Sequence, residues 1–303
     1  MEKSLYPLTC HPIYKETIWG GRRLSDLFGR ELPPGLIGES WDVAAHQNGT
    51  NVVANGPLAG KTLQDIAPGF PLLFKVIDAQ QDLSVQVHPG DDYVRKYTGE
   101  RWGKTEMWYI VHSDPGAWIV WGLRPGVTKE EFSQAVDEGG EAILSCLNRV
   151  PVKAGELYPI SAGLVHALGA GVVVAELQQN SDTTYRVYDW DRLDATGQAR
   201  ELHVNEALEV IDFSPDALDL EYQFSRCADY FQMEVFEKPQ GHEVKSHLGF
   251  QILTNLQGQA EIAWEGGVTH LVAGQSCLIL PSVGPYTLSA EGVVLCGSSA
   301  KLG

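Results

Sequence analysis

The feature that most limits how this chain folds is the form of its apolar runs, which are short, rich in β-branched and aromatic residues, and closed by turn residues. PLLFKVI at 71–77, DLSVQVHP at 82–89, KTEMWYIV at 104–111 and GAWIVWGL at 116–123 all share it. Runs of this length and composition are strands between turns, because a helix needs a longer stretch with a 3.6-residue period. The 32 glycines and 16 prolines supply the punctuation, Gly by reaching positive φ and Pro by ending a ladder. Two segments break the rhythm. At 128–147, Thr128 followed three residues later by Glu131 is a capping-box signature that starts a helix. A second short helix is expected over 203–213, stopped by Ser214-Pro215. Neither belongs to a βαβ series, so a doubly wound sheet is excluded. An antiparallel barrel or jelly roll with short helical insertions is expected.

The character changes near Ser214-Pro215, after which the runs at 250–267 and 278–288 read as strands and hairpins without a helix. This predicts a larger unit over 1–213 and a smaller β unit over 214–303. An echo links them: AGELYPISAGLVH at 154–166 resembles AGQSCLILPSVGPYT at 273–287 in its Ala-Gly start, Pro and later Gly. His166 follows Gly163 by three residues, and Thr287 follows Gly284 at the same offset. The echo therefore implies that chemistry was kept in the first unit.

The formal net charge of −17 argues against nucleic acid and anionic membranes as partners, since both need clustered Lys and Arg. A small anionic ligand needs only a local group of cations. The five cysteines are scattered without a C-x-x-C pair, the first residues lack an apolar signal core, and no run approaches membrane-spanning length. A reduced, cytoplasmic protein is expected.

Within 83–89, Val85 and Val87 alternate with Ser84, Gln86 and His88, so three polar side chains share one strand face. Such a face is either solvated or part of a site. Lys104 and Glu106 share a face in the same way, and His166 follows a glycine turn at 163. Strands joined by a tight connection are commonly neighbours, which would let Glu106 face His88. Gln86, His88, Glu106 and His166 together form an N/O donor set without thiolate, suited to Zn²⁺, with Mn²⁺, Fe²⁺ or Co²⁺ as alternatives. A lone histidine is ordinarily a satisfied surface or core residue, the reading applied to His11, His46, His112, His203, His242, His247 and His270. The densest polar stretch, 175–192, holds Glu176, Asp182, Arg186, Asp189, Asp191 and Arg192 directly after an apolar run. It reads either as a surface loop of Asp–Arg pairs or as a source of a carboxylate base and of guanidiniums for an anion.

Six strings from this chain, IWGG at 18–21, GESW at 38–41, LSVQVHP at 83–89, GKTEMWYI at 103–110, GLVHALGAG at 163–171 and ELQQNSDTTYRVYDWDR at 176–192, resemble the type I mannose-6-phosphate isomerases, in particular the short bacterial form. The likeness runs in order from about residue 10 to about 213. It implies a cupin-type double β architecture with one zinc per chain, held by Gln86, His88, Glu106 and His166. It further implies Arg186 as the catalytic arginine, Glu176 and Asp182 as acidic residues of the active-site loop, and Lys104 as the lysine preceding the glutamate ligand. Lys75 and Ser84 match residues near the sugar phosphate. The long helical domain of larger relatives has no room between Glu106 and His166.

The expected reaction is the interconversion of mannose 6-phosphate and fructose 6-phosphate through a cis-enediol. Two imidazoles, an amide and one carboxylate would leave a bound dication a net positive charge for the developing oxyanion. Glu176 is the first choice of base, with His88 and Lys104 as rivals. Lys75, Ser84 and Arg192 would bind the phosphate. A monomer or homodimer acting on a small sugar phosphate is expected. The competing readings are another cupin metalloenzyme, such as an Fe²⁺ dioxygenase, and a non-catalytic sugar-phosphate-binding cupin.

Overall fold

A computed structural model describes residues 5–193, 197–245 and 248–300; His247 and the extreme ends of both expected units lie outside them. The chain enters as β1 (Leu8–His11) and β2 (Ile13–Gly21), passes the short helix α1 (Arg23–Phe28), and continues as β3 (Ile37–His46), β4 (Gly49–Thr50) and β5 (Val52–Val53). Helix α2 (Leu63–Ile66) precedes β6 (Leu72–Ala79) and β7 (Val85–Val87). Then come α3 (Asp91–Tyr97), β8 (Glu106–Ser113), β9 (Trp118–Leu123), α4 (Lys129–Glu138) and α5 (Gly140–Cys146). β10 (Leu147–Pro151), β11 (Leu157–Ile160), β12 (His166–Leu168), β13 (Val172–Gln179) and β14 (Tyr185–Tyr188) follow, and α6 (Val204–Val210) and α7 (Leu220–Ala228) close this half. The remainder is β15 (Phe231–Glu237), β16 (His242–Val244), β17 (Gln251–Asn255), β18 (Ala260–Trp264), β19 (Gly267–Leu271), β20 (Gln275–Ile279), β21 (Tyr286–Ala290) and β22 (Val293–Ser299).

The capping box predicted at Thr128 is present: its side chain accepts from the Glu131 N–H, and the Glu131 carboxylate accepts from the Thr128 N–H. Four helices, α1, α2, α3 and α7, lie outside the two helical segments expected, and the one expected over 128–147 is broken at Gly139-Gly140 into α4 and α5. α3 follows Pro89-Gly90, where the sequence reading saw no interruption of strand rhythm. α7 lies in the segment after Ser214-Pro215 that was read as free of helix. Its Asp219 side chain caps the Tyr222 N–H at 2.7 Å, and Phe224 and Cys227 turn toward the core. Its apolar stripe is too short to dominate a sequence window, so packing and the cap decide it.

Sheet order shows the internal repeat. β11-β8-β13-β6 run side by side in one sheet and β10-β9-β12-β7 in a second; β20-β17-β22-β15 and β19-β18-β21-β16 reproduce both orders. Strands β6 to β13 and β15 to β22 are thus two copies of one two-sheet topology. The sequence echo at 154–166 and 273–287 falls on equivalent crossings, β11 to β12 and β20 to β21. At each crossing a left-handed glycine, Gly163 or Gly284, carries the chain from one sheet to the other. The N-terminal strands extend the scaffold, with β2 and β3 beside β6 and β1 beside β20.

Leu253, Ile262, Ile279 and Leu288 fill the second sandwich, and three further apolar layers position the first. Trp19, Ile77, Ile110, Ile119, Trp121 and Leu168 fill the space inside the first sandwich. Val85, Val87 and Val120, on the outer face of its smaller sheet, are covered by Phe132, Ile143 and Ala207 of α4, α5 and α6. Phe74, Val76 and Leu177, on the back of its larger sheet, meet Leu8, Ile252, Leu278 and Leu295 of the second sandwich. Each fully buried Leu, Ile or Phe contributes about 1.5–3 kcal/mol. No helix among the described residues is long and apolar enough to cross a membrane.

Candidate active site

The question raised by residues 83–89 is settled by what covers each face of β7. The valines are buried under the helices, so the alternating Ser84, Gln86 and His88 must face the interior of the sandwich. β7 pairs with β12, placing Gln86 beside His166, and with β14, placing Gln86 beside Arg186. The opposite sheet brings Lys75, Glu176 and Trp108 into register on β6, β13 and β8. A cavity of about 510 Å³ opens between the sheets, lined by Glu39, Lys75, Ser84, Gln86, Lys104, Trp108, Glu176, Asp182, Arg186 and Arg200 and by apolar Trp19, Ile77, Leu83 and Leu168.

At its floor the His88 and His166 Nε2 atoms stand 3.1 Å apart. Each is 3.4 Å from one oxygen of Glu106. Glu106 therefore does face His88, but not from a neighbouring strand: β7 and β8 lie in opposite sheets, and α3 separates them in the chain. His88 Nδ1 donates to the Thr183 carbonyl at 3.0 Å and His166 Nδ1 to the Leu164 carbonyl at 2.8 Å. A carbonyl can only accept, so both protons sit on Nδ1 and both Nε2 lone pairs point at each other. Burial, chiefly, pushes His88 down to about 3 and also lowers His166, so both rings are neutral.

Both Glu106 oxygens are buried without a hydrogen-bond partner. Burial would raise this carboxyl, but the charge of Lys104, 3.4 Å away, outweighs it and holds Glu106 well below the ordinary glutamate range. Two facing lone pairs beside an ionised carboxylate repel unless a cation lies between them. These three residues, with their ligand atoms all within 4.8 Å of one another, fit a metal ion. Gln86 is alongside, its Nε2 3.4 Å from His166 Nε2 and its Oε1 3.5 Å from Ser84 Oγ.

Glu176 is buried on the opposite sheet. Its Oε2 accepts from Trp108 Nε1 at 2.7 Å, and Lys75 Nζ stands 3.2 Å from Oε1. Burial first, and then the Glu106 charge, raise its carboxyl to about 7. Burial would lower Lys75, but Glu176, Glu39 and Glu106 outweigh it and raise it. Lys104 Nζ lies 3.4 Å from Glu106. Asp182 accepts from Asn48 at 2.9 Å at the cavity wall. Arg186 donates Nε to Ser84 Oγ at 3.3 Å and Nη1 to the Glu201 carbonyl at 2.8 Å.

Of the residues given a site role from the sequence, Lys75, Ser84, Gln86, Lys104, Glu176, Asp182 and Arg186 line this cavity, and His88, Glu106 and His166 cluster beside it. The exception is Arg192, which lies outside the lining and pairs with Asp189 at 2.6 Å. Trp108, Glu39 and Arg200 were not anticipated. Trp108 carried a usable signal, because it continues the Lys104, Glu106 alternation onto the same face. Arg200 sits in featureless sequence and carried none.

Residues 5–101 match the family model for the catalytic domain of type I phosphomannose isomerase. The mannose-6-phosphate isomerase ManA of Bacillus subtilis is 37% identical over 313 residues, which cover 96% of this chain and 97% of that protein. A probable mannose-6-phosphate isomerase of the same organism, GmuF, is 45% identical over 218 residues, 68% of each chain. A crystal structure of the mannose 6-phosphate isomerase from Bacillus subtilis superposes with a TM-score of 0.83 at 30% identity, covering 97% of this chain and 99% of that one. With its cupin-type two-sandwich fold, its buried His–Glu–His cluster and this likeness along nearly its whole length, the chain belongs to the type I phosphomannose isomerase family.

Proposed function

We propose that this protein is a zinc-dependent mannose-6-phosphate isomerase, interconverting mannose 6-phosphate and fructose 6-phosphate through a cis-enediol. The observation that carries the reading is the convergence of two Nε2 lone pairs and two unpartnered Glu106 oxygens beside a glutamate whose carboxyl is raised to about 7. His88, Glu106 and His166 would hold the metal, joined by Gln86 once its amide turns its oxygen toward them. Zinc so held supplies a Lewis acid for the sugar carbonyl, and the single carboxylate among its ligands leaves it a net positive charge.

The chain's own residues do the rest. Glu176 takes the proton from C2 and returns it to C1, or the reverse. Trp108 fixes Oε2 by its indole N–H, and the Lys75 ammonium favours the ionised carboxylate against burial and the Glu106 charge. Arg186, tied to Ser84, faces charge developing on the sugar oxygens and assists ring opening. Lys104 and Asp182 complete the polar wall, with Lys75 and Ser84 on the substrate side. Trp19, Ile77, Leu83 and Leu168 exclude water from the enediol.

A coupled assay for fructose 6-phosphate formation, with chelator and then added Zn²⁺, tests the reading. Turnover lost to chelator and restored by zinc is expected, with His166→Ala losing both metal and activity. Chelator-insensitive turnover would remove the metal from the mechanism, and no turnover of mannose 6-phosphate would remove the substrate.

A further inference from the structure

The cavity's cations fall into two groups. Lys75 and Lys104 are already matched by carboxylates, Lys75 by Glu176 at 3.2 Å and Glu39 at 3.6 Å, Lys104 by Glu106 at 3.4 Å. The second group reaches beyond the lining: Arg192 and Arg200 bind one carboxylate, Asp189, and Arg186 stands close enough to feel its charge. Arg200 grips it side-on, Nε to Oδ2 at 2.7 Å and Nη2 to Oδ1 at 2.5 Å, while Arg192 Nη2 reaches Oδ1 at 2.6 Å. Three guanidiniums near one buried carboxylate are a local gathering of positive charge suited to a phosphate anion, on a chain whose net charge is −17.

Position separates the three arginines. Arg186 and Arg200 line the cavity; Arg192 and Asp189 do not. Among the described residues, none accepts from Arg200 Nη1 or from Arg186 Nη2. After burial, the Arg200 charge is the next cause lowering Arg186, a repulsion that an anion between them would relieve. Arg186 also adjoins Ser84, and Ser84 adjoins Gln86 beside the His–Glu–His cluster.

We propose that Arg200, rather than Arg192, is the phosphate anchor and specificity-determining residue of this site, with Asp189 as the positioning residue that holds its guanidinium. The inference rests on the sugar-phosphate isomerase reading and deepens it. Arg192 supports Asp189 from outside the cavity and does not touch the substrate.

Steady-state assays on mannose 6-phosphate and on mannose, with wild type, Arg200→Gln, Arg200→Lys and Arg192→Gln, test this, together with calorimetric titration of inorganic phosphate into the metal-loaded proteins. For Arg200→Gln, KM for mannose 6-phosphate should rise about 10- to 100-fold, the loss of a charge-assisted contact. Its kcat should change far less than KM, its metal content should be retained, its kcat/KM should fall far more on mannose 6-phosphate than on mannose, and its phosphate affinity should weaken in parallel with KM. Arg200→Lys should fall between, keeping charge without the fork, and Arg192→Gln should change KM less than Arg200→Gln does. Unchanged KM and phosphate affinity in Arg200→Gln would overturn the proposal, as would equal losses on mannose and its phosphate. A wild type without turnover would count against the isomerase reading alone, because the phosphate titration reads the anchor without catalysis.

Discussion

Glu176 and Glu106 are buried carboxyls in one cavity, driven in opposite directions by their neighbours. Glu106 is ionised beside Lys104 and two neutral imidazoles; Glu176 is raised to about 7 by burial and by Glu106 itself. A base works deprotonated, so turnover should rise with pH along a limb set by Glu176. A dication bound at Glu106 offsets one of the two causes. In the metal-loaded enzyme the limb should therefore lie below about 7. Glu176→Gln should lose that limb and about 10²- to 10⁴-fold in kcat with its metal content intact. A pH–rate profile checks this, and an unchanged limb would return the base role to His88 or Lys104. At this scale strand alternation already paired Gln86 with His88 and Lys104 with Glu106, and the glycine turn at 163 marked His166. Arg200 was not legible, because its role depends on Asp189 and on which side of that carboxylate the cavity lies.

At the scale of elements, the crossing from β11 to β12 sets where His166 lands. Gly163 has φ +95°, its N–H donates to the His88 carbonyl at 2.9 Å, and its carbonyl accepts from Asp212 N–H at 2.9 Å. A Cβ there would meet the Val210 carbonyl oxygen at 3.0 Å and Asp212 Cβ at 3.3 Å. Gly163→Ala should cost about 1–3 kcal/mol of stability and weaken metal binding, read by thermal unfolding and by metal analysis after dialysis. Metal content equal to wild type would show that the turn tolerates the strain without moving the ligands. Strand, capping-box and turn signals made β6 to β9, α4 and α6 readable. α3 and α7 were not, because helices of one or two turns take their stability from packing rather than from a long periodic pattern.

Across the whole molecule, a buried ion pair stands where the two sandwiches meet. Arg30 binds Asp42 at 2.6 and 3.1 Å, Ser40 Oγ at 2.6 Å, and the carbonyl of Gly274 in the second copy; Ser276 Oγ reaches Asp42 at 3.3 Å. Removing one partner strands the other charge, so Arg30→Ala should destabilise by about 3–5 kcal/mol. A denaturation curve reads this, and a loss below about 1 kcal/mol would mean that water or Ser276 compensates Asp42. The sequence by itself determined the mainly β class, the repeated crossing and the polar face at 83–89, because strand periodicity and turn chemistry are local. Which sheet each strand joined, and therefore that Glu106 meets His88 across the sandwich rather than along it, only the tertiary structure decided. So too with Arg200 reaching the cavity while Arg192 stays outside. Those outcomes depend on burying Val85 and Val87 beneath α4 to α6 and on stacking two sandwiches back to back, and such long-range packing leaves no mark at the spacing of neighbouring residues.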